Sequence, residues 1–125
     1  MISKYIFRQC HELGVKEMEL CEAYKLFFGT LVSEPRLKII NLLRKGRKNV
    51  TQIKEELNID QTSVSHNLRR LKTCGFVKAE ADGKYRYYKI NEKTIRPLME
   101  TIERHMKQYC IHILRAMKGG GEYEN

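Results

Sequence analysis

The stretch "LNIDQTSVSHNLRRLKTCGF", Leu57 to Phe76, decides the fold. Asp60 has a short acceptor side chain, the type that caps a helix N-terminus, and the residues after it carry a helical beat. At about 100° per residue, Val64, Leu68 and Leu71 fall on one stripe. Thr62, His66, Arg69 and Thr73 fall opposite, flanked by Ser65 and Arg70. Gly75 offers the left-handed residue that commonly ends a helix. A helix from about Gln61 to Cys74 is expected, with one apolar face and one face of donors and acceptors.

The residues before it read as a shorter helix, "NVTQIKEELN", with Ile53 and Leu57 inward. Thr51 is the expected cap there. Lys54 then occupies the place where a capping box needs Glu or Gln, so no box is expected. After Gly75 come "FVKAEA", "DGK" and "YRYYKI", two β-rich runs around Asp82-Gly83 that predict a hairpin. Upstream, "SEPRLKIINLLRKG" predicts a helix capped by Ser33, with Pro35 in its first turn and Gly46 at its close. Leu37, Ile40 and Leu43 are its expected core residues.

At the N-terminal end, Ile2, Ile6, Cys10 and Leu13 recur at helical spacing up to Gly14. A second helix is expected from about Lys16 to Val32, with Leu20, Tyr24, Phe27, Phe28 and Leu31 on one side. At the other end, a long helix is expected from Pro97 to about Met117. Its stripe is Ile95, Leu98, Ile102, Met106, Tyr109, Ile113 and Met117.

The chain has 125 residues and a formal charge of +9. That length fits one domain. Residues 44–89 alone carry a net +7. A concentrated basic excess implies a polyanionic partner rather than mere solubility. No apolar run approaches the roughly 20 residues that span a bilayer. The N-terminus lacks a continuous signal-peptide core, so a cytoplasmic protein without membrane contact is expected. Cys10, Cys21, Cys74 and Cys110 are far apart with no CxxC pair, a poor disulfide framework and a poor zinc finger. No phosphate loop, nucleophile motif or paired histidine–carboxylate set is present, so no enzyme is expected.

Helix, turn, helix, basic hairpin is the order of a winged helix-turn-helix. The expected fold is mainly α with a small β-hairpin, flanked by N- and C-terminal dimerisation helices. Residues 1–118 form the single domain, with helices for pairing in 1–32 and 96–117, a DNA-binding core and wing in 33–90, and a flexible tail in 119–125. A helix fits the major groove, where base edges are read by donors and acceptors. Gln61, Thr62, Ser63, Ser65 and His66 occupy the half of the helix that makes such contacts. Arg69 and Arg70 reach bases or phosphates. Lys84 and Arg86 on the hairpin, with Lys45, Arg47 and Lys48, suit flanking phosphates. The competing readings are a solvated amphipathic helix with idle charge, and a winged helix that docks protein or RNA.

"LVSEPRLKIINLLRKG", "VTQIKEELNIDQTSVSHNLRRLKTCGFVKAE" and "DGKYRYYKI" resemble the ArsR/SmtB family of bacterial and archaeal winged-helix repressors, over about residues 24–90. The resemblance implies a homodimer on an inverted-repeat operator in double-stranded DNA, released by an inducer that is often a metal or metalloid. The family's sensor motifs are not matched. Asn49 and Thr51 stand where thiolate-type members carry a Cys-x-Cys. Thr94 and Gln108 replace two of four zinc-type ligands, leaving Glu92 and His105. Asn41 and Lys107 stand near the cysteine pair of sulfide-responsive members. The soft groups that remain are Cys10, Cys21 and Cys110. Two readings stand for them. They are small apolar core residues, or they meet at a helical dimer interface as a thiolate site for a soft metal or metalloid ion, or as a site of thiol oxidation. Cys74 is assigned to packing under the wing.

Overall fold

Asp60 caps the helix that follows it, its Oδ2 accepting from the Ser63 N–H at 2.9 Å. In the computed structural model, which describes residues 4–119 and the side chains of 8–119, that helix is α5 of ten elements. These are α1 (Lys4–Leu13), α2 (Glu17–Leu31), α3 (Glu34–Leu43), β1 (Lys48–Asn49), α4 (Val50–Leu57), α5 (Gln61–Thr73), β2 (Val77–Asp82), β3 (Tyr85–Ile90), α6 (Ile95–Gln108) and α7 (Cys110–Lys118). Ile2, and from residue 120 the expected tail, lie outside the described residues, as does the side chain of Ile6.

The core forms where the helical stripes converge. Val64, Leu68 and Leu71 of α5 are buried against Ile39, Ile40 and Leu43 of α3, Ile53 of α4, Phe76, and Ile90 of β3. Burial of each such side chain stabilises the fold by roughly 1.5–3 kcal/mol. Ile95 and Met99 of α6 close one side of this core. The stripe expected along the last helix therefore divides. Its first turns pack inward, while Tyr109, Ile113 and Met117 are exposed.

Gly75 (φ +79°) ends α5, and Gly83 (φ +65°) turns the hairpin. β2 and β3 pair antiparallel from Val77 opposite Ile90 to Asp82 opposite Tyr85. A third strand joins them: Lys48 and Asn49 pair with Tyr88 and Tyr87. The sheet order is β1-β3-β2. No periodicity marks a two-residue strand, so this one was not expected.

Three helix boundaries differ from expectation, the first being the start of α6 at Ile95 rather than Pro97. α4 is capped by Asn49, two residues before Thr51. Asn49 Oδ1 accepts from the Gln52 N–H at 2.8 Å, and the Gln52 side chain accepts from the Asn49 N–H at 2.9 Å. That is a complete capping box, whose third position is Gln52 rather than Lys54. The final helix is broken at Tyr109 (φ −121°, ψ −64°), giving α6 and α7. No glycine or proline lies there. The run Tyr109-Cys110-Ile111-His112-Ile113 consists of weak helix formers, which lowers the cost of a break.

The capping box carries the first prediction. Asn49→Ala should destabilise the domain by about 1 kcal/mol, while Thr51→Ala should change it little. Thermal melts of the two variants check this, and a larger effect at Thr51 would contradict the assignment.

No helix among the described residues is long and apolar enough to cross a membrane.

Candidate nucleic-acid interface

The buried stripe of α5 fixes which of its side chains face outward. Gln61, Thr62, Ser65, His66 and Arg69 are exposed. They form one surface of hydroxyl, amide, imidazole and guanidinium groups. Two further residues expected on that face turn inward. Ser63 is half-buried, and its hydroxyl accepts from Asn67 Nδ2 at 3.3 Å. Arg70 is half-buried, and its Nε donates to Thr30 Oγ1 at 3.1 Å. The polar face thus keeps Gln61, Thr62, Ser65, His66, Arg69 and the exposed Thr73, with Ser63 and Arg70 at its inner edge.

Lys84 and Arg86 are exposed at the hairpin tip and make no ion pair among the described residues. Of the three cations before α4, Lys45 is exposed and makes no ion pair among the described residues, while Arg47 and Lys48 are engaged within the chain. Arg47 bridges two wing carboxylates, donating to Glu80 and, at 2.6 Å, to Asp82. Its guanidinium also lies 4.2 Å from the centre of the Tyr87 ring. Lys48 pairs with Glu56 at 3.0 Å. The strand register explains the Arg47 site: Glu80 and Asp82 share one face with their partners Tyr87 and Tyr85. Lys89 also pairs with Glu80, at 3.2 Å. Arg47 and Lys89 together offset the two carboxylates, which would otherwise repel a polyanion.

The Arg47 guanidinium, followed by Lys89, holds the Glu80 carboxyl below its usual range. A carboxyl whose folded pKa is depressed contributes stability above its unfolded pKa, and that contribution is lost as pH falls through the folded value. The pair is exposed, so the contribution is small. Titration of the Glu80 carboxyl by NMR should give a midpoint below that of an ordinary glutamate, returning toward it in Arg47→Ala. An unmoved midpoint would show that the bridge does not hold in solution.

Residues that sequence reasoning missed tie this face to α2. Arg36 Nε donates to Thr30 O at 2.7 Å, and its Nη1 donates to Asn67 Oδ1 at 3.2 Å. Asn67 is 7% exposed and Thr30 is fully buried. One signal was present: Asn67 is three residues after Val64 and four before Leu71, an amide at core spacing.

A second exposed surface is apolar. Tyr24, Leu26 and Phe28 of α2 and Val32 just after it are exposed, as are Tyr109, Ile113, Leu114 and Met117 around α7. α7 buries no side chain at all. An apolar groove of about 450 Å³, lined in part by Tyr24, Phe28 and Leu98, opens on the α2 side. Tyr24 and Phe28 were expected on the packed side of α2; within the chain they are not covered.

The cysteines divide. Cys10 is buried, and burial, then the charge of Glu17, then Cys21, push its thiol up. Cys21 and Cys110 are exposed. Among the described residues no three His, Cys, Asp or Glu side chains stand close enough within one chain to hold a metal ion. A Cys10–Cys21–Cys110 chelate is therefore not assembled in one protomer. Cys74 packs against the core, its sulfur 3.6 Å from Thr30 Oγ1.

Known proteins resemble this chain in sequence and fold. The model of the family "Bacterial regulatory protein, arsR family" matches residues 33–79. A probable mercury resistance operon repressor of Streptomyces lividans is 32% identical over 73 residues, 58% of this chain and 58% of that protein. An uncharacterized HTH-type transcriptional regulator of Methanocaldococcus jannaschii is 31% identical over 87 residues, 69% of this chain and 98% of its own. The chain thus spans a little over half of the first relative and nearly all of the second. A solution NMR structure of the homodimeric winged helix-turn-helix DNA-binding domain (fragment 1–100) of a possible ArsR-family transcriptional regulator from Mycobacterium bovis superimposes with a TM-score of 0.69. It is 26% identical, with 75% of this chain and 87% of that one covered.

Proposed function

The chain belongs to the ArsR family of bacterial regulatory proteins, and from that premise we propose that it is a homodimeric, sequence-specific transcriptional repressor. It reads an inverted repeat in double-stranded DNA with α5 and grips the flanks with its wing. The observation that carries this is the α5 face. Gln61, Thr62, Ser65, His66 and Arg69 are exposed, as are the wing cations Lys84 and Arg86, while the opposite stripe locks the helix to the core. Base edges in the major groove require such a set of donors and acceptors on a rigid helix. A docking surface for protein would instead concentrate apolar groups, and here those lie on α2 and α7.

Those apolar groups are the proposed dimer interface. Exposed Phe28 of α2 and Val32 at its C-terminal end meet Ile113, Leu114 and Met117 around a two-fold axis, each protomer covering what the other leaves bare. The homodimeric Mycobacterium bovis domain supports a homodimer, and the Streptomyces protein, a probable mercury resistance operon repressor, supports the sign of regulation. Selection of duplexes from a random pool by the purified protein tests the reading. It should enrich one inverted repeat. Enrichment of RNA, or of no sequence, would sink it.

A soft-ion or oxidant inducer site would have to be built across the two protomers from Cys21 and Cys110. Both thiols are exposed, on or beside the surfaces proposed to pair, whereas Cys10 is buried and its thiol is pushed up by that burial. Thiolate formation is needed for ligation, so the response should weaken as pH falls. Hg(II) or a thiol oxidant should release wild-type protein from the selected DNA and leave a Cys21→Ser, Cys110→Ser variant bound. Equal release of both would assign the inducer to another chemistry.

A further inference from the structure

One guanidinium joins the helix that faces the proposed partner to the helix that faces DNA. Arg36 Nε donates to Thr30 O at 2.7 Å, and Nη2 to Gly29 O at 3.3 Å, both carbonyls in the last turns of α2. Its Nη1 donates to Asn67 Oδ1, in the middle of α5, at 3.2 Å. Asn67 passes the constraint on, since its Nδ2 donates to Ser63 O at 2.9 Å. A second link runs beside the first. The buried Thr30 hydroxyl donates to Leu26 O at 2.8 Å and accepts from Arg70 Nε at 3.1 Å.

Apolar packing between α2 and α5 supplies cohesion but little direction. Hydrogen bonds have narrow distance and angle requirements, and a buried polar group left unpaired is costly. The Arg36–Asn67 and Thr30–Arg70 links are therefore the elements that fix the angle between these helices. In a dimer built on α2, that angle sets the separation and tilt of the two reading heads, so a small rotation at Thr30 becomes a larger displacement at His66. We infer that Arg36 and Thr30 are positioning residues: they set the half-site spacing that the dimer accepts, without touching DNA. This inference rests on the DNA-binding reading above.

The test uses the duplex selected by the wild-type dimer, the same duplex with one base pair inserted or removed between half-sites, and a scrambled duplex. Wild type should bind the altered spacings far more weakly than the selected one. Arg36→Lys, which keeps the charge but loses the fork, and Thr30→Val, which keeps the shape but loses the hydroxyl, should each bind the selected duplex about tenfold more weakly. Their preference between spacings should shrink. Affinity for the scrambled duplex and the dimer mass should stay as in wild type, and Thr30→Ser should restore the preference. Variants that weaken on every duplex alike, in step with the fraction unfolded in a melt, and keep the full spacing preference would overturn the inference and leave the cluster merely structural. If Arg36→Lys does not fold, Thr30→Val decides. If the wild type selects no duplex, the DNA-binding reading itself falls and takes this one with it.

Discussion

Phe28→Glu should leave the protomer folded, split the dimer and abolish binding to the selected operator. Phe28 is 54% exposed within the chain. Its intrachain aromatic contacts are an edge on Phe27, at 5.2 Å between ring centres, and a stack on Tyr24 at 6.3 Å. Phe27 in turn stacks on buried Phe76 at 5.2 Å. The aromatic series thus runs from the core to the surface, and Phe28 is where it leaves the molecule. A glutamate at that point costs the protomer little, because its carboxylate reaches water. In the dimer the same carboxylate would be desolvated with no cation to meet it. Leaving a buried charge unpaired costs about 3–5 kcal/mol, and each 1.4 kcal/mol is a factor of ten, so the dimer should dissociate at least a hundredfold more readily. Separated reading heads also lose the effective concentration that links two half-sites. Sedimentation equilibrium together with far-UV circular dichroism checks both parts. A folded dimer of unchanged stability would remove α2 from the interface.

The second large effect concerns α5. Ser65→Ala and His66→Ala should each cost about 1–3 kcal/mol on the selected sequence and little on scrambled DNA. Combined with Arg69→Ala, they should leave only non-specific binding. Lys84→Ala and Arg86→Ala should behave differently, weakening all duplexes alike and lowering the salt slope by roughly one per lost phosphate contact. The distinction follows from placement. Ser65, His66 and Arg69 lie on a helix held by a buried stripe, which orients them for base edges. Lys84 and Arg86 lie on a two-stranded tip, which orients charge but not hydrogen-bond geometry. Binding assays on matched and scrambled duplexes at several salt concentrations separate the classes. Wing variants that alter sequence preference while helix variants do nothing would reverse the assignment.

Much of this was legible because local chemistry decided it. Ser33 and Asp60 are the caps expected, each accepting from the N–H three residues on. Val64, Leu68 and Leu71 are buried as their spacing requires. Gly75 and Gly83 have the positive φ that their turns demand. What was not legible depends on partners far along the chain. Arg47 looks like a phosphate ligand until the strand register brings Glu80 and Asp82 beside it. Arg70 belongs to the polar arc of α5 until Thr30, forty residues earlier, accepts from it. The Asn49 box is an intermediate case. Asn49 and Thr51 are both good caps, and only the reciprocal partner Gln52 distinguishes them. The break at Tyr109 carries no glycine or proline to announce it.

If two copies of α5 read one operator together, hydroxyl-radical footprinting of the wild-type protein on its selected duplex should show it. Two symmetric protected patches are expected, with centres about 10 base pairs apart on one face of the DNA, occupied with the stoichiometry of a dimer and lost together in Phe28→Glu. A single unpaired patch that survives in that variant would contradict it.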